Sequence, residues 1–81
     1  MPTEVAGYEA KRFVLRFEED GELYGFKFDV CILSSNDSEE WVEVFQAEED
    51  GGSTEANRLV LSAPLSEVVE LLEKVLAFLR R

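Results

Sequence analysis

The chain contains no histidine, one cysteine, two prolines and only eight basic residues among 81. Without histidine, the commonest general base is missing, and so is every Ser–His or Cys–His nucleophile pair. A tetrahedral zinc site is excluded for the same reason, since Cys31 alone cannot supply the soft ligands. One cysteine also means no internal disulfide, so nothing in the chain calls for an oxidising compartment. No apolar run approaches the ~20 residues needed to cross a bilayer. The opening residues lack a basic stretch followed by an apolar one, so they do not read as a signal peptide. The expectation is a cytoplasmic protein with no cofactor, no metal and no enzymatic activity. Cys31 itself falls within a strand pattern with no nearby group to activate it, and reads as a small buried hydrophobe.

What is abundant is negative charge and apolar bulk. Eighteen acidic against eight basic residues give a net charge of −10. Such a surface repels nucleic acid and anionic membranes, so no direct binding to either is expected; a basic protein is the complementary partner. At 46% apolar with six Phe, two Tyr and one Trp, the chain is not a disordered acidic tail. It is one small domain near the lower limit for a self-sufficient core, which makes self-association a natural way to bury more surface.

The tetrapeptide Glu-Glu-Asp-Gly occurs twice, as Glu18, Glu19, Asp20, Gly21 and as Glu48, Glu49, Asp50, Gly51. Asp-Gly tolerates the positive φ of a type I′ turn, so both copies read as hairpin tips bearing clustered carboxylates. Residues 11–17 alternate, with Phe13, Leu15 and Phe17 on one face; Tyr24, Phe26, Phe28, Val30 and Ile32 alternate after the turn. A two-residue turn at Asp20-Gly21 makes cross-strand partners sum to 41. That register sets Phe17 against Tyr24, Leu15 against Phe26 and Phe13 against Phe28, and on the other face Arg12 against Asp29. A one-residue slip would scatter both sets.

Residues 1–8 show no periodicity and read as a flexible tail, leaving 9–81 as a single α+β domain. A third strand spans about 40–47, with Val42 and Val44 on one face and Trp41 and Phe45 on the other, and either pair could face inward. A short fourth strand covers 58–62. In the remainder, 63–81, Leu65, Val68, Val69, Leu72, Leu76 and Leu79 recur at helical spacing, with Ser62 as N-cap and Pro64 in the first turn. The fold class is a four-stranded antiparallel meander followed by one C-terminal amphipathic helix packed on the sheet. A helix of about 27 Å, matched to strands of about eight residues, would carry Arg80 and Arg81 back to the two acidic tips.

Candidate sites follow from this layout. Leu71 and Phe78 widen the helical stripe to nearly half the circumference, beyond what one sheet face covers. With Trp41 and Phe45 they form the candidate interaction surface; the acidic tips, Glu18, Glu19, Asp20, Glu48, Glu49 and Asp50, are a second candidate. Asp37, Glu39 and Glu40, or the second tip with Glu55, offer oxygen ligands for weak calcium binding, but neither has the spacing of an EF-hand loop. The strand–helix order is similar to that of dimeric single-stranded DNA-binding transcriptional coactivators, in topology alone; no residue motif accompanies it and no function is carried over. The expected role is a non-catalytic, homodimeric protein–protein interaction module. The alternative is an acidic inhibitor, immunity-type protein or DNA mimic that blocks a basic site on a nucleic-acid enzyme.

Overall fold

The first turn fixes the first two strands. In the computed structural model, which describes residues 5–35, 38–49 and 55–81, Asp20 has φ 52° and Gly21 φ 81°, as a type I′ turn requires. It joins β1 (Val5–Glu19) to β2 (Glu22–Ser35) in the register derived above: Phe17 faces Tyr24, Leu15 faces Phe26, Phe13 faces Phe28 and Arg12 faces Asp29. β1 starts at Val5, so Val5 to Tyr8 of the expected tail are paired with β2, Tyr8 opposite Leu33. Residues 1–4 lie outside the described residues.

β3 (Ser38–Glu49) and β4 (Glu55–Pro64) complete one open antiparallel sheet in the order β1-β2-β3-β4. The ladder decides the third strand's ambiguity. Val30 pairs with Val44 and Ile32 with Val42, so both valines share the face of Phe13 and Phe28. Trp41 and Phe45 lie on the opposite face with Cys31. Between β3 and β4, Val44 pairs with Leu61 and Phe45 with Leu59, which leaves Val60 as an extra residue in a bulge.

The helix, α1, is Leu65–Leu79. Its N-cap is Pro64, at φ −58° and ψ 147°, and no side chain caps it. Ser62, the expected cap, is held in β4 opposite Glu43, where its hydroxyl accepts a 2.7 Å hydrogen bond from Trp41 Nε1. Ser66 in the first turn instead donates to Glu39 on β3 at 3.4 Å. At the far end the Arg80 amide bonds Leu76 O at 3.0 Å, and Arg81 donates its guanidinium to Phe78 O at 2.9 Å while lying 4.4 Å over the Phe78 ring. These contacts satisfy carbonyls that a helix end leaves open.

The helix packs against β3 and β4. Among the described residues the buried set is Cys31, Val42, Ala47 and Val68, and no side chain is completely enclosed. The outline is correspondingly flat, 51 × 41 × 15 Å, with a radius of gyration of 15.8 Å; a compact chain of this length would have about 12 Å. Fifteen helical residues reach only about 22 Å, whereas β1 from Tyr8 to Glu19 runs about 36 Å. The helix therefore stops short of the first tip, and no described ion pair joins Arg80 or Arg81 to Glu18, Glu19 or Asp20. The side chains of the second tip lie outside the described residues.

Because Gly21 sits at a positive φ, Gly21→Ala should lower stability by about 1 kcal/mol. Urea unfolding should show this as a lower midpoint at unchanged slope.

Candidate functional site

Alternation along the strands gives the sheet two unlike faces. The face of Phe13, Phe28, Val42 and Val44 carries most of the large apolar side chains, interrupted by Glu9 and Lys11 on β1 and by Gln46 on β3. Near β3 it is half-buried through Val30, Ile32, Val44 and Leu61. Toward β1 it opens: Phe13 is 49% and Leu15 55% exposed. The described register of β2 with β3 begins at Lys27 and Ala47; beyond that pair, toward the first tip, the β1–β2 hairpin forms an aromatic arm. On that arm Phe17 stacks on Tyr24, ring centroids 5.2 Å apart, and lies 6.3 Å from Phe26. All three rings are exposed.

The opposite face is mixed, with Val14, Leu33, Trp41 and Phe45 set among polar residues, and is cross-linked by side chains. Arg12 grips Asp29 through two hydrogen bonds, Nε to Oδ1 at 2.7 Å and Nη2 to Oδ2 at 2.9 Å. Those bonds hold the Asp29 carboxyl below the usual carboxylate range, against partial burial that pushes the other way. Trp41 donates to Ser62, and Ser62 donates to Glu43 Oε2 at 3.4 Å. Tyr8 meets the buried Cys31 thiol at 3.5 Å; that contact raises the Tyr8 hydroxyl above its ordinary value, with Asp29 and Glu43 acting in the same direction.

The helix supplies the third surface. Beyond Val68 its apolar residues are exposed, from Val69 at 44% to Leu79 at 67%. A groove runs between the start of β3 and the helix, floored by Leu65 and Val69 and rimmed by Glu39, Glu40, Glu70 and Glu73. A second depression, on the sheet, is lined by Val14, Arg16, Lys27 and Ala47.

The expected site residues distribute as follows. Leu71 and Phe78 are exposed on the helix, Phe78 at 62%. Trp41 and Phe45 share the face of Arg12 and Asp29, Trp41 exposed and tied to Ser62, Phe45 half-buried. Glu18, Glu19 and Asp20 are exposed at the first tip; the side chains of Glu48, Glu49 and Asp50 lie outside the described residues. Among the described residues no group of three or more His, Cys, Asp or Glu side chains is placed to share a metal ion, and no helix is long and apolar enough to cross a membrane. The aromatic arm was not among the expected sites, because alternation marks Phe13, Phe17 and Phe26 as inward. The available signal was width: a helix about 10 Å across covers about two strands spaced 4.8 Å apart, not four.

No protein-family model, curated protein or solved structure matches this chain.

A double-mutant cycle on Arg12→Ala and Asp29→Ala should give a coupling of up to about 1 kcal/mol near neutral pH. Because the Asp29 value is lowered in the folded chain, the contribution is full above about pH 4 and is lost as pH falls through the native value. Equilibrium unfolding of the four chains at a series of pH values from 7 downward measures it; a coupling already lost above about pH 4 would contradict the assignment.

Proposed function

We propose that this chain is a non-catalytic protein–protein interaction module that works as a homodimer, with its bare helix and aromatic sheet face as the docking surfaces. The observation that carries the reading is the uncovered apolar surface. The chain exposes 6717 Å², where a compact monomer of its mass would expose about 4,900 Å². The surplus, about 1,800 Å², lies in the range each subunit buries in a permanent complex and well above the ~800 Å² of a standard interface. Contiguous exposed aromatic and aliphatic groups on this scale mark interaction surfaces. A non-catalytic role is supported by the absence of histidine and by the burial of the one thiol.

A second reading is favoured by one feature, the four glutamates along the β3–helix groove. It is an acidic inhibitor or DNA mimic acting on the basic site of a nucleic-acid enzyme. Capture of such an enzyme that is lost at high salt would favour it over the first.

For the leading reading, sedimentation equilibrium at micromolar concentration should return twice the 9.2 kDa chain mass. Phe78→Glu should yield a folded species of single mass, at least tenfold weaker in self-association. A monomeric wild-type chain would refute the homodimer.

A further inference from the structure

The exposed helix face has a second regularity besides its apolarity. Leu65, Val69, Leu72, Leu76 and Leu79 are spaced by four, three, four and three residues. That is the seam of a two-stranded coiled coil, in which alternate residues of one helix fit between those of another. Only the start of the stripe is used within the chain, through Val68 on the sheet. The seam from Val69 to Leu79 faces solvent.

Charge along the helix is segregated and gives the pairing a direction. Glu67, Glu70 and Glu73 occupy its first nine residues, Lys74 is paired with Glu70 of the same helix at 3.3 Å, and Arg80 and Arg81 lie just beyond its end. Glu39 and Glu40 add to the acidic half, because the groove places them beside Glu70 and Glu73. Two parallel helices would set acidic half against acidic half and basic end against basic end. Antiparallel helices set each basic end against the acidic half of the other and also oppose their dipoles. An antiparallel pair on a two-fold axis is isologous, each patch meeting its own copy reversed.

We infer that the occupant of the bare helix is the same helix of a second copy, packed antiparallel, with the partner's arginine end seated in the glutamate-rimmed groove. Centred on the bare segment, this pairing puts Val69 against the partner's Leu79 and Leu72 against the partner's Leu76. It rests on the homodimer reading of the preceding subsection and adds to it the surface and the orientation. The aromatic face of β1 and β2 is left for another protein.

Single-cysteine scanning of the full chain tests this, with the wild-type protein, whose Cys31 is buried, as control. Chains carrying Val69→Cys and Leu79→Cys, one of them enlarged by a tag, are mixed and oxidised. The expected product is the mixed disulfide, because facing positions come within the ~7 Å Cα separation a disulfide spans. Val69→Cys chains alone should stay unlinked, since their Cα atoms would lie about 15 Å apart along the axis. Self-linked Val69→Cys chains, or no linkage in a chain that sediments as a dimer, would overturn the antiparallel pairing while leaving the homodimer standing. A wild-type chain that sediments as a monomer would overturn both. Independently, Arg80→Glu with Arg81→Glu should weaken the dimer roughly tenfold, and adding Glu70→Arg with Glu73→Arg in the same chain should restore it. Unchanged association in the first variant would also count against the pairing.

Discussion

A single helix cannot cover this sheet, and the rest of the molecule follows from that mismatch. Four strands of up to fifteen residues make a surface about 50 Å long; the helix is less than half that length and about two strands wide. It covers β3 and β4 near its start and leaves the β1–β2 half without a lid. The same residues that would form a core in a larger protein, Phe13, Leu15, Phe17 and Phe26, are here at the surface. Conformational entropy of order 100 kcal/mol must be offset in a domain of this size. The four side chains buried among the described residues are a small part of that balance.

The acidic excess belongs to the same physics. A flat molecule with this much open apolar surface would associate indiscriminately if it were neutral. A net charge of −10 sets a general repulsion between copies, so that contact is favourable only where local charges are complementary. The helix meets that condition, being acidic at one end and basic at the other. The other sheet face is quietened differently: Arg12 is neutralised by Asp29, and Trp41 Nε1 donates to Ser62.

How much of this was legible in the residues depended on how many independent constraints met at each point. The first hairpin was fixed in full because Asp20-Gly21, the aromatic pairs and Arg12–Asp29 all demand one register. The third strand was ambiguous because Trp41, Val42, Val44 and Phe45 are apolar on both faces, and only the ladder with Val30 and Ile32 separates them. Ser62 resembled an N-cap by position, but a tryptophan across the strand claimed its hydroxyl. Val5 to Tyr8 extend a strand with no alternation of their own, since their order comes from pairing with β2. Alternation correctly identified which sheet face is apolar. It carries no information on whether anything lies over that face, and for this reason the exposure of the aromatic arm was not expected, whereas helical spacing set Leu71 and Phe78 beside the main stripe, and both are exposed.

The nearest-neighbour order of the strands bears on how the molecule comes to exist. No strand pairs with any but its neighbour in sequence, and the most widely separated ladder partners are Val5 and Ser35. Loop closure is therefore inexpensive at every step, and such local topologies fold quickly for their strand content. Each hairpin can form as it leaves the ribosome, in chain order, with the helix following the strands. In the proposed dimer, association would then be a late, bimolecular event, made by sheets that are already in register.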